Sequence, residues 1–264
     1  MRRVSIVAVL LFAVLSVAQP AGAGSVTVAT AGDIARASFA TPQQQTADLV
    51  TAFNPTAVFA LGDEQYPHGS LSDFQTYYDA SWGAFRSITY PIPGNHEYET
   101  TDAAGYYAFF GAAAGAPTKG YYSFNIGDWH VLALNSECAH IDCAKEKSWM
   151  KADLAADTHV CEVALYHRTG LSWPRTLMEN AGGDLALAGH RHTYERWAGE
   201  NGLVRFTVGT GGDSHTLLKT IQPNSEVRET DTFGVLKLTL RPTSYDWQFI
   251  PVAGSSFEIG RAHV

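Results

Sequence analysis

The chain runs to 264 residues, 45% hydrophobic and 17% charged, without repeats, long charge runs or low-complexity tracts; this excludes a disordered or fibrous chain and favours one sizeable domain. Its formal charge of −8 makes it a poor partner for nucleic acid backbones. Any anionic substrate has to be attracted by local positive charge, for which bound metal is the obvious source.

Residues Met1 to Ala23 read as a secretory signal: Arg2 and Arg3, an apolar run from Val4 to Ala18, then Ala21-Gly22-Ala23 as a small-residue cleavage site. The run is short for a membrane span. Cleavage would remove two arginines and no acid, moving the formal charge from −8 to −10. The expectation is an exported protein, secreted or retained in the periplasm or cell envelope, with no membrane contact once the signal is gone.

The first predicted strand of the mature chain is Val26 to Ala31, closed by Gly32-Asp33. Thr41-Pro42 fits a helix start, Thr as N-cap and Pro at the first helical position, and the helix carries to about Phe53. The apolar run Ala57 to Leu61 then reads as a strand covered on both faces, ending in Gly62-Asp63-Glu64-Gln65-Tyr66. Strand, helix, strand implies a parallel pair with a right-handed crossover, which puts Asp33 and Asp63 at one sheet edge, where α/β sheets bind ligands. A carboxylate at Asp63 can bridge two cations, and Tyr66 can supply a phenolate to a hard ion such as Fe(III). A second helix is predicted from Ser72 to about Phe85, and the run Ile88 to Pro93 ends in Gly94-Asn95-His96-Glu97. There, Asn95 offers an amide oxygen to a metal and His96 a general acid.

Tyr121 to Asn125 and His130 to Leu134 form a predicted hairpin turned at Gly127-Asp128, with His130 a strand residue and not a ligand. Cys138 and Cys143 are expected to form a local disulfide, leaving Cys161 over. Val160 to Tyr166 is a strand ended by His167, and Asp184 to Ala188 is another, followed by Gly189-His190-Arg191-His192-Thr193-Tyr194-Glu195-Arg196. Two histidines two apart on one exit loop can approach a single site, and imidazole suits zinc, iron and other transition metals. Val204 to Val208, Gly234 to Leu240 and Ser244 to Ile250 are expected to be strands of a second sheet. Gly209-Thr210-Gly211-Gly212 lacks the lysine pattern of a nucleotide loop. The segment Glu258 to Val264 is what one frame of a common sequencing-adapter oligonucleotide would encode. It is therefore read as a non-native tail behind a catalytic domain of residues 24–257, with the partner of Cys161 lost beyond it.

Asp33, Gly-Asp63-x-x-Tyr66, Gly-Asn95-His96-Glu97, His167 and Gly-His190-x-His192 occur in that order, each closing a β-like run. This set resembles the calcineurin-like metallophosphoesterase superfamily; the tyrosine after Gly-Asp and the Gly-His-x-His-x-Tyr-Glu-Arg form resemble its purple acid phosphatase branch. The resemblance implies an α/β fold, a sandwich of two mixed β-sheets flanked by helices (α/β/β/α). It implies two metal ions, one held by Asp33, Tyr66 and His192, the other by Asn95, His167 and His190, with Asp63 bridging and His96 beside the leaving group. The tyrosine implies Fe(III) in the first position and a divalent ion, Zn, Mn or Fe, in the second. The implied activity is phosphoester hydrolysis of a small substrate, a monoester in the first instance, by a hydroxide generated between the two ions.

The sequence departs from the pattern in places. Asp33-Ile34-Ala35 lacks the histidine many members carry there, a role Tyr66 is expected to take. His167-Arg168-Thr169 has an arginine where relatives show histidine or serine. No extra N-terminal β domain of the plant kind fits between Ala23 and Val26. The competing readings are a phosphodiesterase or nucleotidase on the same metals, and a catalytically silent phosphate-binding surface protein. The latter would be expected to have lost a ligand, and all of the positions above are present.

Overall fold

The first strand, β1 (Val26–Ala31), is buried at every position but Thr27, which accounts for its continuous apolar run. The structure is a computed structural model whose described residues are 24–37, 40–218, 220–252 and 258–263. The expected signal segment, residues 1–23, lies outside them. After the two-residue strand β2 (Ala35–Arg36) comes α1 (Ala40–Phe53), opening one residue before Thr41, and then β3 (Ala57–Ala60). β3 runs parallel to β1 with Ala31 opposite Ala60, so Asp33 and Asp63 do leave the same edge. β4 (Gln65–Tyr66) pairs in parallel with β2 and ties the two exit turns together.

The helix expected over Ser72–Phe85 is not continuous. α2 (Leu71–Asp73), capped by Ser70, passes into a single π turn at Phe74–Tyr78, and a 3₁₀ helix follows at Trp82–Ile88. Phe74, Tyr78, Trp82 and Phe85 have helical spacing, which explains the expectation. Tertiary contacts override it: Phe74 stacks on Phe109 at 5.0 Å, and Trp82 Nε1 donates to Thr46 Oγ1 at 3.1 Å on α1. β5 (Thr89–Pro91) then joins β3 in parallel, and α3 (Ala104–Phe110) supplies the aromatic wall that Phe74 and Tyr78 meet.

β6 (Tyr122–Ile126) and β7 (Trp129–Ala133) form the expected hairpin, and Cys138–Cys143 the expected disulfide. The buried Cys161 thiol is free and donates to the Pro242 carbonyl at 3.2 Å. α4 (Cys143–Ala156) is capped by Asp142, whose side chain accepts from Ala144 N and Lys145 N. β8 (Cys161–Arg168), α5 (Ser172–Ala181), β9 (Leu185–Gly189), β10 (Tyr194–Glu200), β11 (Leu203–Val208) and β12 (Ser225–Glu229) follow. β13 (Gly234–Arg241), β14 (Ser244–Pro251) and β15 (Glu258–His263) close the described chain.

The late strands do not all build a second sheet. β11 lies parallel to β9 there, but β13 and β14 return to the first sheet, with β13 antiparallel to β1 (Val26 opposite Leu240). The physical reason is coverage: β1 is buried and needs ladder partners on both sides, and β13 supplies the second. The orders are β15-β14-β13-β1-β3-β5 and β12-β10-β11-β9-β8-β7-β6. The largest apolar cluster joins Val28 and Phe59 of the first sheet to Val163, Leu165, Leu187 and Phe206 of the second. A smaller cluster packs Ala164, Tyr166 and Ala186 under Met150 of α4 and Met178 of α5. With helices outside both sheets, this is the expected α/β/β/α sandwich. Among the described residues, no helix is long and apolar enough to cross a membrane. β15, which falls in the segment read as non-native, pairs along β14 by backbone ladder, a kind of contact open sheet edges accept from any extended chain.

Candidate metal centre

Three of the predicted ligands stand in left-handed backbone: Asp33 (φ 59°), Asp63 (φ 50°) and His190 (φ 69°). Such geometry costs a non-glycine residue about 1–3 kcal/mol, and persists where the surroundings over-determine it. Here the surroundings do so. Asp33 N donates to Gly62 O at 3.0 Å, His96 N to Asp63 Oδ1 at 2.8 Å, and His190 N to Asp33 Oδ2 at 2.8 Å. Each exit turn is thus pinned by the next. The glycines ahead of the ligands permit this approach: a Cβ on Gly62 (φ 83°) would stand 2.6 Å from His167 Nδ1, and one on Gly94 would overlap Asp63 Oδ1.

The side chains converge in two halves that share Asp63. In the first, the Tyr66 hydroxyl lies 2.9 Å from Asp33 Oδ1, 2.9 Å from Asp63 Oδ2 and 3.0 Å from His192 Nε2, and His192 Nε2 lies 3.1 Å from Asp33 Oδ1. In the second, His167 Nε2 lies 3.2 Å from Asp63 Oδ2 and 3.2 Å from His190 Nδ1. Donor atoms of Asp63, His167 and His190 all fall within 4.8 Å of one another. Asn95 Oδ1 is buried with no hydrogen-bond partner, an orphaned acceptor next to His96 in the chain. His167 Nδ1 faces the Leu61 carbonyl at 2.8 Å, an arrangement that fixes the tautomer and leaves Nε2 for the site.

Electrostatics identify what the centre lacks. Burial disfavours a charged His167, yet the Asp63 carboxylate outweighs it and raises the ring to about 10; Asp63, despite burial, is held far below the usual carboxylate range. Burial, then the charge of His167, pushes His190 down to about 4. Burial and the carboxylates of Asp33 and Asp63 push the Tyr66 phenol well above its ordinary value. Two carboxylates, a phenol and three imidazoles therefore face one another, with an orphaned amide oxygen in the adjoining turn. Hard cations between these donors answer every one of those demands, so the donor set fits two metal ions.

His96 lies at the margin of the donors, its ring centroid 4.1 Å from that of Tyr66. Its side chain is 30% exposed, Nε2 is 4.0 Å from Asp63 Oδ2, and Nδ1 is 2.6 Å from the Pro67 carbonyl. The structure thus brings Asp33, Asp63, Tyr66, His167, His190 and His192 together, with His96 beside them and Asn95 in the adjoining turn.

Four supporting residues have no role assigned from the sequence. Glu97 accepts from Asp63 N (2.9 Å), Gly94 N (2.8 Å) and Gln65 N (3.2 Å), clamping two exit turns; burial and the charge of Asp63 raise it to about 8. Ser214, 2.6 Å from His192 Nδ1, donates to Asp213 Oδ2 and so orients the imidazole. These two follow the glycine-rich connection Gly209-Thr210-Gly211-Gly212, which was the available signal in the sequence. Arg168 is held by Glu137 (Nε to Oε1, 2.8 Å) with Nη1 3.5 Å from His190 Nε2, at the mouth of a recess of about 430 Å³ that Arg191 and Thr216 also line.

A family model described as calcineurin-like phosphoesterase matches residues 26–194. Purple acid phosphatase 18 of Arabidopsis thaliana is 24% identical over 195 residues, covering 57% of this chain and 44% of that protein. Purple acid phosphatase 22 of the same plant is 31% identical over 146 residues, 43% of this chain and 32% of its own. Purple acid phosphatase PPD1 from yellow lupin (Lupinus luteus) seeds shares the fold at a TM-score of 0.76 and 18% identity, over 92% of this chain and 55% of that one. The chain thus spans less than half the length of the two Arabidopsis relatives and about half that of the lupin protein.

Proposed function

This chain belongs to the calcineurin-like phosphoesterase family, and from that premise we propose that it is an exported dimetal phosphoester hydrolase acting first on small phosphomonoesters. The observation that carries the reading is Asp63: one buried carboxylate oxygen lies within 3.2 Å of both Tyr66 Oη and His167 Nε2, between two sets of donors. Asp33, Tyr66 and His192 would hold one ion, Asn95, His167 and His190 the other, and Asp63 both. When bound, such a pair supplies Lewis acidity and lowers the pKa of a shared water. The rest falls to the chain. The pinned turns hold the donors in place before substrate arrives, which is where most of the advantage of such a site resides. His96 faces the site with Nε2 and is proposed to deliver the proton to the departing ester oxygen. The guanidinium of Arg168, fixed by Glu137 at the position where relatives show histidine or serine, is proposed to bind a phosphoryl oxygen.

Tyr66 supports Fe(III) in the first half of the site. A phenolate adds a negative charge that a histidine would not, and favours a trivalent over a divalent ion; the second half, built on imidazoles and an amide, suits Zn, Mn or divalent iron. The monoester preference rests on likeness to purple acid phosphatases. A diester reading is kept in the test by the recess beside Arg168, which has room for a second ester arm.

The test is purification in air without added metal, followed by visible spectroscopy, metal analysis and hydrolysis of matched mono- and diesters. Wild type is expected to be coloured, to contain iron and to prefer monoesters, and Tyr66→Phe to lose the colour. A colourless, iron-free and fully active wild type, or colour that survives loss of the phenol, defeats the iron assignment. Absence of hydrolysis across the panel defeats the enzyme reading.

A further inference from the structure

A second cluster of histidine and aspartate lies at the opposite edge of the seven-stranded sheet. His130 sits near the start of β7 and Asp157 and His159 in the turn between α4 and β8, with one donor atom from each within 4.8 Å of the others. His130 pairs in register with Glu162, and five residues of extended β8 separate Glu162 from His167, about 16 Å at ~3.3 Å per residue. The cluster is therefore separate from the candidate dimetal centre.

We propose that His130, Asp157 and His159, with Asn125 as a fourth donor, form a binding site for a single divalent transition-metal ion such as Zn²⁺. His130 Nε2 lies 2.7 Å from Asp153 Oδ2, and the Ser123 hydroxyl donates to Asp153 Oδ1 at 2.9 Å. That is the outer partnership metal-bound histidines show: a carboxylate takes one ring N–H and aims the other nitrogen at the ion. The other nitrogen, Nδ1, faces oxygen only, 2.7 Å from Asn125 Oδ1 and 3.7 Å from Asp157 Oδ1. A ring nitrogen set among acceptors carries either a proton or a metal ion. His159 Nδ1 approaches the same Asp157 Oδ1 at 2.6 Å, so an ion enters by replacing the proton that joins them.

Two imidazoles, a carboxylate and an amide oxygen make a donor set that suits zinc. Other carboxyls stand nearby: burial first, then the charges of Asp184 and Asp157, push Glu162 up to about 7. Access is open on one side, since the His159 side chain is 28% exposed while His130 and Asp157 are 9% and 7% exposed.

The test titrates the full-length protein with Zn²⁺ by calorimetry and equilibrium dialysis, comparing wild type with His159→Ala, whose partly exposed side chain can be removed without opening the core. Wild type is expected to bind one equivalent more than the variant, whatever number the dimetal centre takes up, and hydrolysis is expected to be the same in both. His159→Cys, which keeps a ligand, should restore the equivalent. Asp153→Asn, which touches no ion directly, should weaken binding at this site by about 10- to 100-fold. Equal uptake by wild type and His159→Ala overturns the site. So does unchanged affinity in Asp153→Asn, which would reduce the cluster to hydrogen-bonded pairs. Because the reading is a difference between chains, failure here leaves the phosphoesterase reading untouched, and the reverse also holds.

Discussion

The two edges of the seven-stranded sheet both collect histidine and aspartate, and they hold them in different ways. At the edge reached by the C-terminal ends of β8 and β9, with the turns after β1 and β3 alongside, Asp33, Asp63 and His190 sit in left-handed backbone, and the carboxylates of Asp33 and Asp63 accept from the backbone of the His190 and His96 turns. At the other edge, His130 lies within a strand and Asp157 and His159 on a turn, none with a positive φ. The first arrangement cannot relax when a member is lost, because each carboxylate also fixes backbone. The second can. Strain and cross-bonding thus suit an edge whose geometry must be set before a ligand arrives, as proposed for the dimetal centre, and their absence suits one where an ion gathers its own ligands, as proposed for the second cluster.

The sharpest way to break the comparison is to remove one charge from each edge. Asp63→Asn keeps the shape but takes the shared carboxylate from His167 and from both halves of the centre. Metal content should fall and hydrolysis should drop by more than ~10²-fold, the upper range for losing even an outer partner of a metal site. Gly94→Ala should do the same without replacing a ligand, since its Cβ would displace Asp63 Oδ1. His159→Ala should leave turnover unchanged. If Gly94→Ala kept full metal content and rate, the pinned-turn account would fail.

A smaller effect separates proton transfer from metal binding within the first edge. His96→Ala removes the ring whose Nε2 is 4.0 Å from Asp63 Oδ2 but leaves every donor in place. Turnover should fall ~10²- to 10⁴-fold, most on esters with poor leaving groups, while both ions are retained. Near-normal turnover on a poor leaving group would remove His96 from that role.

How much of this could be read from the sequence follows from the same contrast. Donors that close apolar runs are legible, because a buried strand announces its own end and glycine followed by Asp, Asn or His names the turn. Thus Asp33, Asp63, Asn95, His167 and His190 are all placed at strand exits by the sequence alone. Glu97 is visible within its motif, but its work is accepting three backbone N–H groups, and nothing local signals which carbonyls and amides a fold leaves unpaired. Asp213 and Ser214 reach His192 across the chain from a connection without periodicity. The return of β13 to β1 is invisible for a related reason: an alternating strand states which face is buried, not which sheet it joins.

The smallest expected effect concerns the support behind the candidate dimetal centre. Glu146, buried on α4, accepts from Asn135 N at 2.7 Å, and Asn135 Nδ2 in turn donates to the Tyr98 hydroxyl at 2.7 Å, next to Glu97. Burial raises the Glu146 carboxyl from 4.5 to about 8, the Asn135 amide pulling only partly the other way. The folded protein therefore keeps a proton on Glu146 that the unfolded chain releases above about pH 4.5. This group's contribution to stability is complete below that value, declines as pH rises, and reaches its floor once pH passes about 8. At ~1.4 kcal/mol for each tenfold change in proton affinity, the decline amounts to a few kcal/mol at most. Glu146→Gln is neutral at every pH and can still accept from Asn135 N. Its melting temperature should fall less than that of wild type between pH 5 and pH 8, with hydrolysis little changed at pH 5, as befits a residue that touches no donor. Parallel melting profiles for the two proteins across that range would show that Glu146 is charged in the fold and that another group buttresses this edge.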